Sequence, residues 1–228
     1  MSLTAFIFAR GGSKGLPNKN LLNLSGKPLL GWSIEAAKAA NRVDRVIVST
    51  DSLEIAKVAL DFGAEVPFMR PKELALDDTP EVFAWRHAIN FLHQSEGYFP
   101  EAFVSVPPTA PLRLPSDIDN CVELYFNNDI DAVITVSESH RSPFFNMVKI
   151  KSDGGVELVV PPDKKIFRRQ DAPKTYDMTT VCYVLRTSFV MNKFSIFEGR
   201  IRTVQIPAER AIDIDDMVDF RFAEFMQS

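Results

Sequence analysis

The stretch Ala9-Arg10-Gly11-Gly12-Ser13-Lys14-Gly15-Leu16-Pro17-Asn18-Lys19-Asn20 combines residue types suited to holding a polyanion. Gly11, Gly12 and Gly15 are three of only 10 glycines in the chain, and without side chains they let backbone amides approach a ligand closely. Arg10, Lys14 and Lys19 add cations to the same loop. Bare amides and cations directly after an apolar segment suit the phosphates of a nucleotide triphosphate. Gly11, Gly12, Ser13 and Asn20 are the expected contacts beside Arg10 and Lys19. The spacing is neither the GxGxxG of a dinucleotide fold nor the GxxxxGK[ST] of a P-loop. A solvated loop rich in turn formers is the other reading.

A second constellation is Ile212-Asp213-Ile214-Asp215-Asp216. In an extended segment Asp213 and Asp215 face one way and the isoleucines the other. Two such carboxylates suit magnesium, a hard cation that takes oxygen ligands and accepts the rest from a triphosphate. The same acids could instead cap the helix expected from Met217, with Asp216 the better cap. A third cluster, Lys164, Lys165, Arg168, Arg169, Gln170 and Lys174, reads by itself as a solvated basic face. The proline-rich run Pro108–Arg113 suits a rigid pocket wall.

These groups must be positioned by an alternating series of strands and helices. Strands are expected at Thr4–Ala9, Arg45–Ser49, Glu65–Phe68, Ala102–Val106 and Ala132–Val136. The intervening helices run through Trp32–Ala40, after Ser52 to Gly63, from Thr79-Pro80-Glu81, and over Pro115–Asn127. This rhythm defines an α/β class, a Rossmann-like three-layer fold with a mostly parallel sheet. Ligands then bind at the strands' carboxyl ends, where the glycine loop, Ser49-Thr50-Asp51 and Pro107–Arg113 all lie. From about 140 to 176 the rhythm breaks into prolines and a Gly-Gly pair, read as a hairpin-like excursion within a single domain spanning 1–228. Strands at Thr180–Arg186 and Arg202–Ile206 and a helix at Met217–Met226 complete the series.

The chain has 228 residues and a net charge of −4. A domain of this size buries roughly 70–75% of its unfolded surface, enough to need no disulfide or structural metal. The charge argues against a nucleic-acid partner, and the apolar runs are too short to span a membrane. Cys121 and Cys182 lack metal-ligand spacing and read as buried thiols; His87, His93 and His140 read as structural or surface residues. The expected location is the cytoplasm.

The glycine loop resembles the signature of the acylneuraminate cytidylyltransferases (CMP-sialic acid synthetases). Further matches follow in order at Leu29–Ala37, Val48–Asp51, Arg70-Pro71 with Leu74 and Asp77, Pro108–Arg113, Arg168–Gln170 and Ile212–Asp215. The resemblance implies a transferase that joins CTP to a nonulosonic (sialic-acid-like) sugar acid. It implies Mg²⁺ held by Asp213 and Asp215, and cytosine contacts from Arg70 and Thr79. It also implies a homodimer whose excursion is a dimerisation arm, with Arg168, Arg169, Gln170 and Lys165 binding the sugar carboxylate in the neighbouring subunit's site. Two positions depart from the family pattern on the sugar side. Pro107 stands where the family usually has Gln, and Thr179-Thr180 replaces an Asn-Gly segment. The competing functions are activation of an eight-carbon Kdo-type acid, a sugar-1-phosphate nucleotidyltransferase, and a nucleotide-binding regulatory module without turnover.

Overall fold

The computed structural model describes residues 3–13, 15–162 and 164–227; Lys14, counted above among the loop cations, lies outside them. The first strand, β1 (Leu3–Phe8), is followed by a two-strand turn of β2 (Asn23–Leu24) and β3 (Lys27–Pro28), then α1 (Leu29–Ala39) and β4 (Val43–Ser49). Next come α2 (Leu53–Asp61), α3 (Glu81–Glu96), β5 (Ala102–Ser105), α4 (Pro115–Phe126) and β6 (Ala132–Glu138). The excursion carries β7 (Val148–Ile150) and β8 (Val156–Leu158), and the chain ends with β9 (Tyr176–Arg186), α5 (Thr187–Asn192), β10 (Ile201–Gln205) and α6 (Met217–Gln227).

The central sheet has the order β10-β6-β9-β5-β1-β4. Pairings of β1 with β4 and β5, and of β6 with β10, are parallel, while β9 runs antiparallel to both β5 and β6. The excursion explains that reversal. It leaves the end of β6 and returns into the start of β9, where Glu138 pairs with Tyr176, so the two strands form one hairpin with a long insertion and need no crossover helix. Within the insertion β7 and β8 pair antiparallel, as the sequence suggests.

Both faces of the sheet are covered, which is why the central strands β1 and β5 are buried along nearly their whole length rather than alternating, while the edge strand β10 stays partly exposed. Ala5, Ile7, Val46, Val48, Val104 and Val184 pack with Ile34, Ala37, Ile118 and Val122 on one side. Phe6, Ile47, Phe103 and Leu185 pack with Trp85, Ile89, Leu92 and Val190 on the other. Cys121 and Cys182 are both buried. His87 and His93 make edge-on ring contacts with Phe68 and Phe99 at 5.0 and 5.5 Å.

Helix boundaries follow local chemistry. Ser52 Oγ accepts from the Ile55 N–H and caps α2, and α3 stops at Gly97, whose φ of +65° suits glycine. Two expectations need correction. Glu65–Phe68 is not a regular strand: it meets β4 through isolated bridges, Ile47 with Glu65 and Thr50 with Met69, because Pro67 has no N–H to continue a ladder. The strand expected from Thr180 begins four residues earlier, at Tyr176, and α5 follows it unanticipated. No helix among the described residues is long and apolar enough to cross a membrane.

Candidate active site

The glycine loop leaves the carboxyl end of β1 and is anchored from the neighbouring strand. The Gly11 N–H donates to Asp51 Oδ1 at 2.8 Å, and Asn20 Nδ2 donates to the Arg10 carbonyl at 2.9 Å. After Pro17 the chain turns through Asn18 in the left-handed region into a single 3-10 turn at Lys19–Leu21. The loop then meets the far end of the sequence. Lys19 Nζ donates to the Ile214 carbonyl at 2.7 Å and to Asp215 Oδ1 at 3.0 Å. A Cβ on Gly15 would stand 2.6 Å from the Asp215 carbonyl, so glycine is required for that approach.

Between them lies a cavity of about 420 Å³, lined by Arg10, Ser13, Gly15, Lys19, Asn20, Thr109 and Asp215 among others. A second cavity of about 280 Å³ shares Phe8 and Arg10 with it and adds Arg70, Thr79 and Glu81. Arg10 pairs with Asp77 at 2.7 Å. Arg70 is buried and donates to the Ser49 carbonyl at 2.6 Å. Burial holds its pKa below the usual arginine value, with the charges of Asp51 and Glu81 opposing the drop. Thr79 donates its hydroxyl proton to the Glu73 carbonyl at 2.9 Å.

The Asp213–Asp216 segment is divided as its pattern suggests. Ile214 is buried and Ile212 packs beside it in a small cluster with Leu16, Leu24 and Phe220. Asp215 is exposed and Asp213 half-buried. Asp213 Oδ1 is buried without a hydrogen-bond partner. Burial pushes its carboxyl up, the Thr109 hydroxyl opposes this, and the Asp215 charge adds to the rise. Asp216 caps α6, accepting from the Val218 and Asp219 N–H groups at 2.7 and 3.1 Å.

The wall opposite the loop depends on an irregularity in β9. Ile134 pairs with Tyr183 but the next residue, Thr135, pairs with Thr179, so Thr180, Val181 and Cys182 bulge from the ladder. Bulges of this kind re-aim side chains beside active sites. Here Thr180 Oγ1 comes within 3.2 Å of Thr109 Oγ1. The buried Arg113 guanidinium holds the arrangement, donating to Ser33 Oγ at 2.6 Å, to the Thr180 carbonyl at 3.1 Å and to the Pro107 carbonyl.

The structure therefore gathers Arg10, Gly11, Gly12, Ser13, Lys19, Asn20, Asp213 and Asp215 in one region, with Arg70 and Thr79 adjoining. It does not bring the basic residues of the 140–176 excursion there. Arg169 and Gln170 line a separate cavity of about 400 Å³ at the arm's root, with Arg141 and Lys174. Arg168 pairs with Asp171 at 2.9 Å, and Lys165 is exposed. Sequence reasoning left four positions without an individual role: Asp51, Gly15, Thr109 and Arg113. Each lay inside a flagged segment, but their roles depend on contacts between segments distant in sequence.

A mostly parallel sheet with a glycine loop leaving its first strand, and cations facing carboxylates across its carboxyl edge, is the arrangement of a nucleotidyltransferase. The chain belongs to the cytidylyltransferase family, whose description "Cytidylyltransferase" matches residues 4–224. It is 35% identical over 225 residues to the CMP-N,N'-diacetyllegionaminic acid synthase of Campylobacter jejuni, covering 97% of this chain and 93% of that one. It is 34% identical over 223 residues to the post-translational flagellin modification protein B of Campylobacter coli, covering 96% and 92%. An N-acylneuraminate cytidylyltransferase of Streptococcus agalactiae is 32% identical over 96% of this chain and 52% of its own length. The fold is shared with a CMP:2-keto-3-deoxy-manno-octonic acid synthetase solved in complex with CTP. That match has a TM-score of 0.74 at 16% identity and covers 100% of this chain and 98% of the other.

Proposed function

We propose that this protein transfers a cytidylyl group from CTP to a nonulosonic, sialic-acid-like α-keto sugar acid, releasing pyrophosphate. The observation that carries the reading is the junction of the glycine loop with the Asp213–Asp215 segment through Lys19, which sets phosphate-binding amides and cations against a carboxylate pair. The C. jejuni and S. agalactiae relatives, by their names, act on acids of this class.

The anomeric hydroxyl of the sugar attacks the α-phosphorus of CTP, and pyrophosphate leaves. Positioning and charge neutralisation supply most of such catalysis. Lys19 and Arg10 hold phosphate charge together with the amides of Gly12 and Ser13, while Gly11, its own amide held by Asp51, keeps the backbone bare for close approach. Asn20, by tying Arg10's carbonyl, fixes the loop's path beneath them. Arg70 and Thr79 take the cytosine in the adjoining cavity. A divalent cation fits the carboxylates: the Thr109 and Thr180 hydroxyls serve the Asp213 carboxyl, but its Oδ1 is buried without a hydrogen-bond partner, a cost that a cation relieves. Asp213 and Asp215 would hold magnesium, which when bound supplies charge neutralisation at the α-phosphate and acidifies the attacking hydroxyl.

Completion of the sugar site by a second subunit accounts for the arm. Its basic residues lie away from the protomer's own glycine loop, and Ile150, Val156 and Phe167 are exposed at 78%, 63% and 80%. Apolar exposure on a protruding hairpin suits a homodimer, with Arg168, Arg169, Gln170 and Lys165 reaching the partner's sugar carboxylate. The cytoplasm, where CTP is made and thiols stay reduced, is the compartment this reading implies.

The test is pyrophosphate release over a panel of nucleotides and sugar acids with magnesium. CTP with a nine-carbon acid should turn over. Preference for an eight-carbon acid would move the substrate to the Kdo type, and CTP binding without any release would replace the enzyme with a regulatory module. Retained turnover in an Asp213→Ala, Asp215→Ala double variant would sink the metal assignment. Ile150→Asp with Val156→Asp should yield a monomer in sedimentation with little activity; a fully active monomer would overturn the shared site.

A further inference from the structure

The smaller cavity contains a carboxylate that the reaction above does not use. Leu74, Leu76 and Ala84 give it apolar walls for a flat ring, and Arg70, Thr79 and Glu81 give it polar contacts. Glu81 opens α3, where the helix's free amides favour negative charge. The other acids nearby are engaged: Asp77 by Arg10 at 2.7 Å, and Asp51 by the Gly11 amide at 2.8 Å. Among the described residues no cation comes within ion-pair distance of Glu81. The side chain remains solvent-accessible, yet it sits in a concave wall, and that crowding pushes its carboxyl up; the Trp85 indole, one turn along the helix, and the Arg70 charge oppose the rise.

A carboxylate facing a polyanion site repels the phosphates unless it serves a donor. Ionised, it only accepts hydrogen bonds, whereas the guanidinium beside it only donates. The pair is complementary to one pyrimidine edge. Cytosine's edge offers an exocyclic 4-amino donor followed by the N3 and O2 acceptors, while uracil places a carbonyl oxygen where the amino group would be and an N–H at N3. We propose that Glu81 is the residue that selects cytosine over uracil, accepting from the 4-amino group while Arg70 donates to the ring acceptors. This rests on the cytidylyltransferase reading above and deepens it. Carboxylate acceptance from the cytosine amino group is an established mode of base discrimination, and the repulsion of a uracil carbonyl supplies the negative half of the selectivity.

The experiment measures CTP and UTP affinity calorimetrically, without sugar, for the full-length protein and for Glu81→Gln and Glu81→Ala. The wild type should prefer CTP by about tenfold or more, the range of a good base-edge contact. Glu81→Gln can both accept and donate, so the preference should fall about tenfold, with UTP binding gained. Glu81→Ala should lose CTP affinity and most of the preference. Variants that keep the wild-type CTP:UTP ratio within about twofold overturn the proposal, including the case where turnover collapses at an unchanged ratio, which would make Glu81 a group acting on the acceptor. A wild type without CTP preference would instead overturn the cytidylyltransferase reading, and the assignment of Glu81 with it.

Discussion

Lys19 and Asp215, 196 positions apart in sequence, meet at 3.0 Å, and the same ammonium donates to the Ile214 carbonyl. The carboxylate end of this pair is exposed, so the pair contributes no more than about 1 kcal/mol to stability. In the proposed reaction its value lies in holding a cation at the cavity lined by the glycine loop. Lys19→Met should therefore lower kcat by about 10²–10³, the typical effect of removing one preorganised charge donor. The melting temperature should move only slightly. Pyrophosphate-release rates and thermal melts on the same sample check both; unfolding that accompanied the loss of rate would remove the catalytic interpretation.

The two ends of the glycine loop should differ sharply. At Gly15 an added Cβ meets backbone, the Asp215 carbonyl, which cannot swing aside as a flexible side chain can. Gly15→Ala must push the loop away from the Asp213–Asp215 segment, at the roughly 1–3 kcal/mol usual for overpacking, and should lower kcat/KM at least tenfold. At Gly12 nothing lies within 4 Å of the added carbon, so Gly12→Ala should keep the wild-type melting temperature. Thermal melts and rates for the two variants, side by side, test the contrast.

The contrast bears on what could be read from sequence. Apolar strand runs, the Ser52 cap and the loss of rhythm after residue 140 are local signals, and they placed the strands, helices and arm. Glu65–Phe68 misled because its composition is that of a strand while Pro67 removes the donor a ladder needs. The site followed the same division. Type and spacing single out Arg10, Lys19, Asp213 and Asp215 as candidates, with a helix cap equally open for the two acids until the family resemblance is added. Gly15's need for the Asp215 carbonyl, and Arg113's hold on Pro107 and Thr180, arise only when segments far apart in sequence are packed together. The three-residue bulge in β9 is a mismatch of register between two strands, and neither strand alone records it.

Arg113 should be the costliest single change in the wall. Burial lowers its pKa to about 10, so it remains a cation, donating to two backbone carbonyls and to Ser33. Arg113→Ala removes the donor to the half-buried Pro107 and Thr180 carbonyls and to the buried Ser33 hydroxyl, and opens a cavity beneath the β9 bulge. A loss of about 2–5 kcal/mol is expected from acceptors left without their donor and from the packing removed. Arg113→Lys, which lacks the planar fork, should recover only part of it. Urea unfolding measures both; a loss under 1 kcal/mol for the alanine variant would show that the bulge holds itself.

Asp213 should trade stability for function in a pH-dependent way. Burial raises its folded-state carboxyl above the ordinary value of 3.8, so the folded protein keeps this proton to higher pH than the unfolded chain. Between 3.8 and the raised value the folded state binds more protons, and stability falls as pH rises. Above that window the penalty persists in full. Asp213→Asn keeps the side chain's shape and removes its charge. The variant should melt above the wild type at neutral pH, with the gap closing once the pH drops below the ordinary carboxyl range. Magnesium with CTP should raise the wild-type melting temperature and reduce the difference, because a bound cation relieves the same buried charge. Melting curves from pH 3 to 8, with and without magnesium and CTP, read all of this. Equal melting temperatures at neutral pH would mean that the carboxylate is already compensated, and the argument that it awaits a cation would fail.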